Sequence, residues 1–227
     1  NPVIGTYRGH TIVSMPPPSS GGIHLIQMLN ILENFNLEES GHNSAQTIHL
    51  YAEAMKRAYA DRSIHLGDPD FYSIPFEFLT SKQYGQQIAQ EIQLDRRTPS
   101  SFVYPEPERY LYESDETTHF SIMDKYGNAV SNTYTLNFSY GNKHVVPGTG
   151  ILLNNEMDDF SSKPGEPNAY GLIGGIKNSI EPNKRMLSSM TPTIVFDSED
   201  KVMLVTGTPG GSRIITTTLQ IVVNTID

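Results

Sequence analysis

The feature that most constrains this chain is a change of hydrophobic period at Thr117, from helical spacing before it to strand-like alternation after it. Upstream, Leu25, Met28, Leu29, Leu32 and Phe35 predict one amphipathic helix over residues 22–35. Asn43 or Ser44 is placed to cap a second, with Ile48, Tyr51, Ala52, Met55 and Tyr59 on its apolar face and polar residues opposite. Thr80 or Ser81 opens a third, weaker helix through Tyr84, Ile88 and Ile92, and the Pro-rich, charged stretch 98–116 reads as an exposed loop. Ahead of these helices, residues 6–14 have a short strand character and run into a fixed, irregular loop, Met15-Pro16-Pro17-Pro18-Ser19-Ser20-Gly21-Gly22. Downstream, 118–123 and 129–137 flank a turn and predict a hairpin. A second hairpin is written in 192–196 and 202–205, and Gly207-Thr208-Pro209-Gly210-Gly211-Ser212 then leads into a closing helix of Ile214, Leu219, Val222 and Ile226. Helices, then hairpins, then a helix imply mixed layers with mainly antiparallel strands.

At 227 residues the chain is long enough for one substantial core. Its net charge of −9, with no clustering of Lys and Arg, lacks the electrostatic footprint of a nucleic-acid binder. The absence of cysteine removes disulfides, thiolate zinc sites and a cysteine nucleophile from consideration. No run has the apolar length to span a bilayer, and the first residues read as mid-domain sequence rather than as an export signal.

Four places carry chemistry-bearing residues, and each also has a plain structural reading. Thr117-Thr118 sits where a charged loop meets the first strand of the hairpin. Threonine is an ordinary strand residue; yet cleavage before Thr117 would set an α-amine beside its own hydroxyl, as general base next to nucleophile. Gly210-Gly211, between strand and helix, is either a tight turn or a pair of unhindered N–H donors for an oxyanion. Ser188-Ser189 offers two hydroxyl donors to a carboxylate, or two loop serines. The acidic run Asn154-Asn155-Glu156-Met157-Asp158-Asp159 suits an ammonium group or a metal, or a solvated cap. His65, Asp68 and Asp70 are of metal-ligand type, but no spacing matches a ligand set, and a Gly-Gly without a following Lys is not a phosphate loop.

Taken together, the motifs are more specific than any one of them. Thr117-Thr118-His119-Phe120-Ser121, Gly127-Asn128-Ala129-Val130, Thr133-Tyr134-Thr135-Leu136-Asn137, the run from Leu152 to Phe160, Pro182-Asn183-Lys184-Arg185, Leu187-Ser188-Ser189-Met190 and Pro209-Gly210-Gly211-Ser212-Arg213 stand in the order of the γ-glutamyltransferases. The Met15 to Gly22 loop and Tyr59-Ala60-Asp61-Arg62 also resemble that family, so the likeness covers nearly the whole chain.

The resemblance implies an α+β, four-layer αββα fold of the N-terminal-nucleophile hydrolases, from a precursor that cuts itself into two subunits. On that reading 1–116 is the end of the large subunit, 117–227 the start of the small one, both within one domain, and Glu116–Thr117 is the bond cut. It makes Thr117 the nucleophile and Thr135 the residue that positions and helps activate it. Asn137, Glu156 and Asp159 become contacts to the α-amino end of a glutamyl group, Ser188 and Ser189 contacts to its α-carboxylate, and Gly210 and Gly211 the oxyanion hole. Residues 164–172 resemble a mobile lid with Tyr170 at its gating position. Glu156 stands where some members carry Gln.

The implied donor is glutathione or another γ-glutamyl compound, and the implied acceptor is water, an amino acid or a dipeptide. No cofactor is implied, and the implied location is extracytoplasmic, periplasmic or secreted. Related acylases and poly-γ-glutamate-cleaving enzymes share the threonine, and an unprocessed, non-catalytic piece is the remaining alternative. Family chains extend beyond both ends of this one. Three expectations follow: the arginine that pairs with the substrate α-carboxylate lies upstream of Asn1, the fragment alone is inactive or nearly so, and its apolar faces invite self-association.

Overall fold

The computed structural model describes residues 1–103, 117–169 and 171–227. The first strand region is a hairpin rather than one strand, with β1 Val3–Tyr7 and β2 His10–Ser14 joined at Arg8-Gly9. Both turn residues have positive φ, 46° and 81°, which suits the twist of a two-residue hairpin. Arginine is an uncommon residue there, so the turn signal in the sequence is weak. The turn is held from outside, because Arg8 N donates to Glu33 Oε1 at 2.7 Å and Arg8 Nη2 to the Phe35 carbonyl at 2.8 Å.

The helical part follows as α1 Gly21–Leu32, α2 Leu37–Ser40, α3 Ala45–His65, α4 Phe76–Leu79 and α5 Lys82–Glu91. Ser44 and Ser81 cap α3 and α5, each accepting from a backbone N–H three residues on. The predicted amphipathic helix is instead buried all round: every residue of α1 is covered, packed by α3, α5, the helix at the chain's end and the first hairpin. Each of its polar residues has at least one partner inside: His24 Nδ1 with Gln27 Oε1 at 2.7 Å, Gln27 Nε2 to Asp61 Oδ2 at 2.5 Å, Asn30 Nδ2 to the Thr80 carbonyl at 2.8 Å, while His24 Nε2 and Asn30 Oδ1 stay without one among the described residues.

The face expected for α3 is shifted. Leu50, Tyr51, Ala54 and Ala58 are buried, whereas Ile48 and Ala52 are exposed. The reason is polar: Glu53 and Arg57 go inside together, Arg57 Nη1 reaching Glu53 Oε2 at 2.6 Å, so this flank of the helix cannot be recognised by apolarity.

Past the junction come β3 Thr118–Met123, β4 Ala129–Tyr134, β5 Thr193–Phe196, β6 Val202–Thr206 and α6 Ile214–Ile226. The main sheet has the order β1-β2-β5-β6, antiparallel throughout, and Ile12 pairs with Val195. The segments before and after Thr117 therefore share one sheet and one core, in which Tyr7, Ile12, Leu29, Val195 and Leu219 meet.

The β3–β4 hairpin is a separate sheet lying against β5 and β6. Ser131 pins it, with Oγ donating to the Thr206 carbonyl at 2.8 Å and accepting from Thr193 N at 3.0 Å. His119 covers Gly207 so closely that a Cβ there would lie 2.4 Å from the ring. The hairpin's face toward β5 and β6 is thus mostly polar, with His119, Ser121, Ser131 and Thr133, while Phe120, Ile122, Val130 and Tyr134 face out and are exposed. An apolar outer face on a hairpin is the mark of a sheet awaiting another layer. The layers seen here are helices, sheet and hairpin, and the sandwich is not closed.

The first turn of α1 needs glycine for space. A Cβ at Gly21 would lie 2.4 Å from the Met190 carbonyl oxygen and from Thr191 Oγ1. Gly21→Ala is expected to cost about 2–3 kcal/mol by overpacking, read as a lower midpoint in urea unfolding with an unchanged slope.

Candidate active site

The last residue pair of the β3–β4 ladder is Thr118 with Tyr134. Thr117, half-buried, immediately precedes β3, and Thr135 immediately follows β4, so the two flank this last pair. Thr135 Oγ1 accepts from Asn137 N at 2.9 Å, which folds the chain sharply after β4. Asn137 is buried and has a φ of 74°, a left-handed conformation that asparagine tolerates better than most residues.

Asn155 clamps this turn. Its carbonyl accepts from Asn137 Nδ2 at 3.1 Å, its side-chain oxygen from Phe138 N at 3.0 Å, and its own N–H donates to the Leu136 carbonyl at 3.1 Å. The single 3-10 turn Glu156–Asp159 starts at the next residue. Thr135, Asn137, Glu156 and Asp159 are thereby joined in one unit. Asn155 stands in the acidic run as a candidate for binding an ammonium group or a metal; its part as a clamp is not visible in the sequence.

Burial, reinforced by the nearby Glu156 and Asp158 carboxylates, pushes the Asp159 carboxyl up to about 7, with Arg62 opposing. Burial also raises Glu156. Two carboxyls that are costly as bare anions form a place where an ammonium group is welcome. The Asp159 carbonyl is held by Asn178 Nδ2 at 2.7 Å, and Asn178 Oδ1 accepts from Leu187 N at 2.9 Å, so one buried asparagine ties the acidic turn to the Ser188-Ser189 segment.

The two serines are set as donors. Ser188 Oγ accepts from Met190 N at 3.1 Å and Ser189 Oγ from Arg62 Nη2 at 3.2 Å, and among the described residues neither hydroxyl has an acceptor for its own proton. Arg62, buried in α3, also lines a cavity of about 70 Å³ with Tyr59, Gly171, Leu172 and Ile173. It has no role of its own in the sequence reading, although it belongs to the Tyr59-Ala60-Asp61-Arg62 motif.

Gly210 and Gly211 have φ of 130° and 53° and open the turn Gly211–Arg213 that starts α6. Neither N–H meets an acceptor among the described residues, the arrangement required of oxyanion donors. The Tyr170 gate and the Glu116 side of the expected cleavage bond lie outside the described residues, as does the loop 98–116 from residue 104 onward.

No metal-binding cluster of His, Asp and Glu is found among the described residues. Asp68 is instead engaged by Arg185, Nη2 to Oδ1 at 2.6 Å, and the hydrogen bonds from this guanidinium hold its carboxyl at about 2.

This arrangement, a threonine at the head of a hairpin that lies against a helix-covered antiparallel sheet, is shared with the N-terminal-nucleophile hydrolases. The crystal structure of cephalosporin acylase from Bacillus halodurans superimposes on the whole chain with a TM-score of 0.77 at 26% identity, over 38% of its own length. The chain matches the family Gamma-glutamyltranspeptidase over residues 1–227, and it belongs to that family. It is 58% identical over 226 residues to the glutathione hydrolase proenzyme of Escherichia coli (strain K12), covering 100% of this chain and 39% of that protein. The acylase ACY 1 proenzyme of Pseudomonas sp. (strain SE83) is 37% identical over 226 residues, covering 100% of this chain and 38% of that protein. The chain thus spans well under half the length of the curated relatives it matches.

Proposed function

We propose that the whole protein of which this chain is a part is a self-processing γ-glutamyltransferase and glutathione hydrolase, with Thr117 as nucleophile after cleavage before it. The observation that carries this is that Thr117 and Thr135 flank the last pair of the β3–β4 ladder, where the turn after β4 is clamped to the segment of the acidic residues Glu156 and Asp159.

The chemistry follows from these groups. Thr117 Oγ attacks the γ-amide carbonyl carbon and its proton passes to the freed α-amine of the same residue. Gly210 and Gly211 N–H stabilise the oxyanion, the C–N bond breaks, and the departing amine takes the proton. A γ-glutamyl ester of Thr117 remains. Water then releases glutamate, or an amino acid or dipeptide amine takes the γ-glutamyl group.

Asp159 and Glu156 receive the ammonium of the donor and Ser188 and Ser189 its α-carboxylate, which favours a γ-glutamyl donor over the uncharged acyl groups an acylase takes. The acylase ACY 1 relative keeps an acyl-amide substrate as the second reading. A panel of glutathione, poly-γ-glutamate and acyl amides, given to the full-length protein, separates them: release of cysteinylglycine from glutathione with little turnover of the others supports the first reading. The fragment by itself is expected to be nearly inactive, because its sandwich is open. Its exposed hairpin face is the proposed seat of the absent layer or, in the isolated fragment, of a second copy.

A further inference from the structure

We propose that Arg62 is a positioning residue that aims the Ser189 hydroxyl at the α-carboxylate of the donor, an inference that rests on the γ-glutamyl reading of the site. Arg62 Nε donates to Ser20 Oγ at 3.0 Å and Nη2 to Ser189 Oγ at 3.2 Å, all three residues being buried. A guanidinium has no acceptor, so each hydroxyl must turn its own proton away from it. Ser20 sends its proton to the Ser188 carbonyl at 2.8 Å. Ser189 has no acceptor for its proton among the described residues. That proton is held away from α3.

The same cation opposes the rise of the Asp159 carboxyl, so its charge is felt at both ends of the place assigned to the amino-acid part of the donor. The fork spans two hydroxyls on separate segments, Ser20 at the start of α1 and Ser189 ahead of β5, which the single ammonium of a lysine does not reproduce. Arg62 thus acts through Ser189, and its effect belongs to carboxylate recognition rather than to the chemical step.

The test uses the full-length protein and two probes, γ-glutamyl-p-nitroanilide and its α-carboxamide counterpart, with N-terminal sequencing of each variant to read cleavage before Thr117. Arg62→Gln is expected to raise KM for the carboxylate probe by about 10- to 100-fold with kcat little changed, and to leave the carboxamide probe nearly unaffected. Ser189→Ala gives a similar loss, and the double variant is no worse than either single one. Ser20→Ala, which removes one anchor of the fork and spares the cation, gives a smaller rise confined to the carboxylate probe, and it decides the matter if Arg62→Gln does not fold.

Equal losses on both probes, or losses of Arg62→Gln and Ser189→Ala that add, overturn the proposal. A wild type that cleaves before Thr117 yet shows no preference for the carboxylate probe overturns the positioning role alone. One that turns over neither probe overturns the functional reading and this inference with it.

Discussion

Thr117→Ala in the full-length protein is expected to leave one uncut chain with at least about 10⁴-fold less glutathione turnover than wild type. Alanine lacks the hydroxyl needed both to attack the preceding peptide bond and, after cleavage, to attack the donor. Thr117→Ser retains both groups and is expected to process and to turn over, more slowly, because the lost methyl fixes the rotamer of a β-branched side chain. Denaturing gel electrophoresis and a cysteinylglycine assay check both variants. An uncut Thr117→Ala chain that kept wild-type activity would place the nucleophile elsewhere.

The second large effect is expected at Asp159. Its carboxyl is raised from 3.8 to about 7 in the folded protein, mainly by burial, so the folded state holds this proton more tightly than the unfolded chain does. The stabilising effect of proton binding is full below the unfolded value and is lost as pH rises through about 7, above which the partly buried anion is a cost.

Asp159→Asn should therefore match wild-type stability near pH 4 and gain on it as pH rises towards 7, by about 1–2 kcal/mol after allowance for partial exposure. Activity moves the other way. With its ammonium partner gone, kcat/KM for glutathione should fall by about 10²- to 10³-fold. In wild type the apparent KM should rise below pH 7 as the donor ammonium competes with that proton, and this dependence should vanish in Asp159→Asn. Thermal unfolding and initial rates across that pH range check the two arms. A variant that loses stability at every pH would assign Asp159 a structural role instead.

Much of the fold was legible because periodicity and punctuation agree. Ser44 and Ser81 cap helices at the predicted places, and the Asp124 to Asn128 turn sits between the predicted strands. Where reading failed, polar groups had replaced the usual signal. Arg8 at a left-handed turn position hid the first hairpin, and the internal Glu53–Arg57 pair moved the buried face of α3 away from Ile48.

The β3–β4 hairpin shows a further limit. Alternation in its sequence predicts two faces but not which is covered, and the polar face is the one turned inward, toward Thr206 and Gly207. Among the candidate site residues, Thr117, Thr135, Asn137, Glu156 and Asp159 are recognisable as motifs with individual roles, while Asn155 and Arg62 stand only as members of longer motifs. Asn155 clamps the turn through its backbone and amide, and Arg62 is hydrogen-bonded to a hydroxyl 127 residues away in the chain, relations that only the folded geometry displays.

The central claim, a γ-glutamyl group carried on Thr117, is tested most directly by rapid acid quenching of the full-length protein during glutathione turnover, followed by peptide mass mapping. The predicted result is a peptide whose N-terminal residue is Thr117, heavier by one γ-glutamyl group located on that threonine. A peptide that runs unbroken through Glu116 and Thr117 in active enzyme, or a γ-glutamyl group on any other residue, would contradict it.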